Sequence, residues 1–168
     1  MYFKALPKIF YPAMGTQVLV SDIFRRVHLD KYFKNRLSLT EYYINDGETP
    51  EIVAEKFYGS VRYHWLVIIA NSIVDVKREW PLSQRALVAY VDDKYGLNNR
   101  TDVHHYVMKE DTSVVVDWDS VLVASGDYLA VTNLEHETDL NDKKRQILLL
   151  DKIFLKDITA QYLRLVKK

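Results

Sequence analysis

The clearest alternation of apolar and polar positions lies in the middle of the chain, where it predicts a strand, a turn and a run of helices. Thr40 to Asn45 (TEYYIN) is rich in β-formers and predicts a strand, and Asp46-Gly47-Glu48 predicts the turn that follows, with Gly47 able to take a positive φ. Thr49 then stands as a helix N-cap. Pro50 suits the first helical position because its missing N–H would have no partner there, and Glu51 complements the positive helix end. Ile52, Val53, Phe57 and Tyr58 form the apolar side of this helix, and Gly59 ends it in a left-handed conformation. Ser60 can cap a second helix, in which Trp65 to Ala70 is apolar all round and so is expected to be buried before Asn71 stops it. A short strand is expected over Val74 to Trp80, against the lysine, arginine and glutamate it contains. Leu82 and Leu87 flank Ser83 with the spacing of a hydrophobic staple, so a third helix is expected from Gln84 to Tyr95, closed by Gly96.

The flanking regions have other periods. From Met1 to Val20, Pro7, Pro12 and Gly15 interrupt an aromatic and β-branched stretch and leave no helical repeat, which reads as an extended arm. Its Phe3, Leu6, Ile9, Phe10, Tyr11, Val18 and Leu19 need cover from the body of the domain or from another subunit. Ser21 and Asp22 then offer capping oxygens before Ile23, Phe24 and Val27, which fit a helical turn or a strand end equally. Beyond Gly96, Val103 to Lys109, Val114 to Trp118, Val121 to Ala124 and Tyr128 to Thr132 are short runs separated by turn residues, as in a small antiparallel sheet. The acidic stretch Leu134 to Asp142 reads as a linker or a poorly ordered helix start. Gln146 to Leu150 predicts a buried strand, and Asp151 a cap for a terminal helix whose Phe154, Ile158, Tyr162 and Leu165 make one stripe. The expected class is α+β: an extended arm over 1–39, a central domain with its following helix over 40–96, and a β-rich region with a terminal helix over 97–168.

Composition narrows the partners. Among 168 residues, 23 lysines and arginines balance 23 aspartates and glutamates, so no net field attracts a polyphosphate backbone or an anionic membrane. Cysteine is absent, which removes disulfides and thiolate chemistry and fits a reducing compartment. No apolar run approaches the ~20 residues that span a bilayer, and no signal peptide is visible. Twelve tyrosines, three tryptophans and six phenylalanines supply amphipathic rings of the kind used in cores and as interface anchors.

Motifs for chemistry are missing. His28, His64, His104, His105 and His136 lack ligand spacing, and His104 and His105 would point to opposite faces of a strand, so no metal site is expected. Asp117 and Asp119 lack the helix, glycine and terminal glutamate of a calcium loop. Neither a phosphate-binding glycine pattern nor a nucleophile elbow occurs, and no carboxylate pair stands out for glycoside hydrolysis, so neither catalysis nor a cofactor is expected.

The run YYINDGETPEIVAEKFYG from Tyr42 to Gly59, with Tyr63-His64-Trp65 and Asn71, resembles the lysin motif, which implies a strand, two short helices and a second strand over the span Thr40 to Trp80. Two more segments, Val20 to Arg25 and Asn141 to Ile147, extend the likeness. Together these pieces resemble the baseplate wedge subunit of T-even-type contractile phages that carries a lysin-motif-like domain, and they leave Leu97 to Leu134 unmatched. The resemblance implies a non-enzymatic structural subunit of the virion tail baseplate, assembled in the host cytoplasm. It also implies that the subunit clamps neighbouring wedges and contacts the main wedge scaffold and the lysozyme-related sheath-initiating subunit. Contact residues expected on chemical grounds are Ile23, Phe24 and Arg25 from the arm and Tyr162 and Leu165 from the last helix, while Trp65 is expected in the core. The alternative is a module that binds peptidoglycan or chitin, with Gly47, Thr49, Ile73 and Val74 lining a shallow groove.

Overall fold

A computed structural model describes residues 6–23, 38–117 and 126–166. In chain order the first elements are β1 (Lys8–Ala13), β2 (Thr16–Ser21), β3 (Leu39–Tyr43), α1 (Pro50–Tyr58), α2 (His64–Ala70), α3 (Val76–Glu79) and α4 (Gln84–Tyr95). There follow β4 (Val103–Met108), β5 (Val115–Val116), β6 (Tyr128–Thr132), α5 (Asn133–Asp142), β7 (Gln146–Leu150) and α6 (Leu155–Val166). The described residues fall into two compact units, one drawn from 1–44, 48–76 and 147–168 and the other from 45–47 and 77–146. This division groups α4 with the second unit, where the sequence pattern had joined it to the central domain.

In the first unit the amino-terminal stretch is folded back on itself. Strands β1 and β2 pair antiparallel with Ile9 opposite Val20, Phe10 opposite Leu19 and Tyr11 opposite Val18. Met14 and Gly15 make the two-residue loop with φ of 48° and 81°, the left-handed pair whose twist matches the strands it joins. The Thr16 hydroxyl donates to the Ala13 carbonyl at 3.0 Å and closes the turn. Pro12 lies within β1, which a ribbon of two strands tolerates because each strand keeps an open edge.

The body of this unit follows local sequence rules closely. Thr49 has extended backbone and its side chain accepts from the Ile52 N–H, Pro50 opens α1, and Gly59 at φ 77° returns its N–H to the Glu55 carbonyl. Ser60 caps a 3-10 turn, Val61–Tyr63, that leads into α2. Strand β3 pairs with β7, and the Asp151 N–H donates to the Ser38 carbonyl at 2.8 Å, so the end of one strand meets the start of the other, as in an antiparallel pair. The Asn71 amide extends this sheet: its Nδ2 donates to the Leu148 carbonyl and its Oδ1 accepts from the Leu148 N–H, both at 2.8 Å. Ile44, Val53, Leu66, Val67, Leu149, Leu150 and Ile158 are fully buried. Trp65 belongs to the same core, its ring 4.6 Å from that of Tyr162 on α6.

Residues 74–80 do not form the expected strand. Val76–Glu79 is a short helical turn instead, and the strand that joins β3 comes from Gln146–Leu150. Lys77, Arg78 and Glu79 are good helix formers, whereas Ile147 and Leu149 of β7 alternate into the core.

The second unit packs α4 and α5 with a three-stranded antiparallel sheet in the order β5-β4-β6. Helix α4 starts at Ser83, whose side chain accepts from the Ala86 N–H, and Asp46 adds a second acceptor for the Gln84 N–H at 2.8 Å. The pairing of β4 with β6 slips between Val103, opposite Thr132, and His105, opposite Val131, so His104 is the extra residue of a bulge. The segment read as a linker is a capped helix: Thr132 and Glu135 form a reciprocal capping box at the start of α5. Its buried side consists of Asn133, Glu137 and Asn141, so it has no apolar period to read. The Asn141 amide pairs with both backbone groups of Leu82, at 2.7 and 3.0 Å. Buried Arg145 reaches Asp142 at 2.8 Å and Asp46 at 3.3 Å. The expected strand Val121 to Ala124 lies outside the described residues.

Candidate functional site

Two features of the described residues are not explained by folding alone: the outer surface of the β1–β2 hairpin and a group of histidines in the second unit. In the hairpin, successive side chains point to opposite faces, so Phe10 and Leu19 share one face and Ile9, Tyr11 and Val18 share the other. All are exposed: Phe10 by 68%, Tyr11 by 58%, Leu19 by 51% and Val18 by 46%. Among the described residues nothing covers this ribbon, which is apolar on both faces, and two strands alone are marginal in water. Ile23, just beyond β2, is 63% exposed and continues the patch, while Phe24 and Arg25 lie outside the described residues.

The expected contacts on the last helix fare differently. Tyr162 is only 2% exposed and stacks on Trp65, so it is a core residue rather than an anchor for a partner. Leu165 is partly buried. The stripe that faces inward is Ile158, Tyr162 and Val166, an i+4 series displaced by one residue from the expected Leu165.

Of the four groove residues considered for sugars, two have structural roles of their own. Gly47 is the positive-φ turn residue at 74°, and the Thr49 hydroxyl is engaged as the helix cap. Ile73 is partly buried and Val74 is 74% exposed. Next to this turn, the buried Glu48 carboxylate accepts from the Tyr42 hydroxyl at 3.1 Å and from Lys56 at 2.5 Å. Burial and the Glu48 charge push the Tyr42 phenol up, and the bond to Glu48 also raises Lys56. This cluster ties β3 to α1.

In the second unit, His104, His105 and His136 meet, although adjacent strand residues were expected to face apart. The bulge at His104 removes that alternation. The Nδ1 atoms of His104 and His105 are 2.8 Å apart, so one ring donates to the other, and the His136 ring from α5 stacks on His104 at 4.0 Å with a 10° tilt. Nearby, Lys94 and the Tyr95 hydroxyl donate to Glu137 at 2.6 and 2.8 Å. Burial opposes ionisation of Glu137, but these two bonds outweigh it and hold its carboxyl below the usual range. Desolvation lowers His104, with His136 and Lys94 adding to the effect against the pull of Glu137. An open groove of about 690 Å³ lies alongside, lined by His105, His136, Val107, Leu129, Asp139 and others. Sequence spacing gave no sign of this cluster except the adjacent pair His104-His105, because a bulge is set by strand pairing.

Residues 1–121 match the family model described as base plate wedge protein 53. The chain is also similar to the baseplate wedge protein gp53 of Enterobacteria phage T4, with 26% identity over an alignment of 168 positions and coverage of 89% of this chain and 85% of the relative.

Proposed function

The chain belongs to the base plate wedge protein 53 family, and from that membership we propose that it docks into the phage baseplate wedge through its amino-terminal hairpin. As a family member it is a structural component of the virion's tail baseplate and associates with other baseplate proteins. The observation that carries the docking reading is the exposure of Phe10, Leu19, Tyr11 and Val18 on two faces of one ribbon. A few large anchors, tyrosine prominent among them, carry most of the energy at a protein interface. Ile23 continues the same surface.

In the finer reading the subunit clamps neighbouring wedges, touching the main wedge scaffold and the lysozyme-related sheath-initiating subunit. Its first unit is a lysin-motif-like fold whose second strand comes late in the chain. The order β3, α1, α2, β7 supports this, with residues 77–146 inserted between the second helix and the second strand. That fold serves as a scaffold here, since no observation favours the glycan reading.

Co-expression of the full chain with the other wedge proteins tests the proposal. The wild type is expected to co-purify in a stoichiometric complex, and the Phe10→Ser/Tyr11→Ser variant to remain folded but outside it. Normal incorporation of that variant would refute docking through the hairpin. A calorimetric titration with a chitin oligomer is expected to give no saturable heat.

A further inference from the structure

We infer that His104, His105 and His136 form a site for a single divalent transition-metal ion of the zinc class, joining strand β4 to helix α5. Their ligating nitrogens all lie within 4.8 Å of one another. Zinc bound at 2.0–2.1 Å by tetrahedrally disposed nitrogens holds those atoms roughly 3.3 Å apart, so the cluster needs only a small contraction. Three imidazoles and a water are an established zinc environment, and imidazole ligands select zinc, copper and nickel over magnesium or calcium.

The arrangement is produced by two independent elements. The bulge in β4 turns two consecutive histidines to one side, and bulges commonly re-aim side chains at functional positions. Helix α5, fixed by its capping box, presents His136 opposite them. The Lys94 ammonium nearby does not oppose a cation strongly, because Glu137 neutralises it at 2.6 Å.

One adjustment is required. The His104 and His136 rings are stacked, and a nitrogen lone pair lies in its ring plane, so parallel rings cannot both aim at one ion. Binding therefore requires exposed His104 to leave the stack for another staggered rotamer that turns its Nδ1 or Nε2 toward the other two. His105 and His136 are partly buried and fix the remaining directions.

The test uses tag-free full-length protein stripped with chelator and titrated with Zn²⁺ alone, followed by Co²⁺ as an optical probe. Saturable binding of one ion per chain is expected, with a higher melting temperature in Zn²⁺ and a visible ligand-field band with Co²⁺. His104→Ala and His136→Ala should each weaken binding by at least about tenfold, as loss of a ligand does when loss of its supporting partner already costs that much. His64→Ala, in the other unit, should leave it unchanged. Because His104 is exposed, its replacement probes the site without disturbing the core, and metal-free melting of the His136 variant establishes that it folds. Absence of saturable Zn²⁺ binding, or equal affinity in the His104→Ala and wild-type proteins, would overturn the assignment.

Discussion

The two compact units are closed by different chemistry. The first is sealed by fully buried aliphatic side chains, Ile44, Val53, Leu66, Leu149 and Ile158, with Trp65 stacked on Tyr162. The second also buries Leu87, Val91 and Val107, but it carries more buried polar side chains, Asn133, Glu137, Asn141 and Arg145 against Ser38 and Glu48 in the first, and holds them inside through hydrogen-bond partners. Apolar packing is non-directional, whereas an amide paired to one backbone residue admits a single register. The second unit therefore gains specificity of arrangement from groups that contribute little net stability each.

Substitutions can break or sharpen this contrast, and the largest effect belongs to the apolar unit. Trp65→Ala removes a buried indole and is expected to cost about 3–5 kcal/mol, read as a large fall in thermal midpoint. Asn141→Ala leaves both backbone groups of Leu82 without their partner and should cost about 1–3 kcal/mol, measured by urea unfolding. Were this second loss to equal the first, the distinction between the units would fail. Thr132→Ala breaks one half of the capping box of α5 and should cost about 1 kcal/mol. Replacing Phe10 and Tyr11 with serine should change the stability of the free chain by no more than about 0.5 kcal/mol each, since both are already in water. The smallest change concerns acid sensitivity. Arg100 holds the Asp92 carboxyl below its usual value, so this pair stabilises the second unit above the unfolded carboxylate pKa and loses that contribution as pH falls through the folded one. Asp92→Asn should flatten the acid limb of the melting profile, lowering the midpoint slightly near pH 7 and converging on the wild type as pH falls below the usual carboxylate range.

The same contrast explains which parts were legible in the sequence. Thr49, Pro50 and Gly59 act on their own helix within a few residues, so both ends of α1 could be read directly, as could Ser83 and Gly96 around α4. Strand β7 was visible as an apolar run, yet its pairing with β3 was not, because no local signal names a partner so far along the chain. The nearer segment Val74 to Trp80 looked closer to hand and turned out to contain a helical turn. Helix α5 carried its capping box in Thr132 and Glu135, but its buried face is polar and hydrophobic periodicity misses it. The histidine cluster depends on a one-residue slip in strand pairing, which composition cannot encode. Tyr162 was read as a surface anchor because an aromatic suits an interface as well as it suits a core.

The late position of β7 also bears on how the molecule is made. A chain still emerging from the ribosome has β3, α1 and α2 available long before Gln146, so the first sheet cannot close until β7 has been synthesised. The segment 77–146 has no such wait, being almost continuous, and its two ends are fastened to each other by Lys144 on the Arg78 carbonyl and Asn141 on Leu82. Once that segment folds, the distance that diffusion must search for β7 to find β3 shrinks to that of a short connection, and most of the loop-closure entropy has been met beforehand. A folded insert thus shortens the search that closes the domain it interrupts, and a chain cut before Gln146 keeps β3 without the strand that pairs with it.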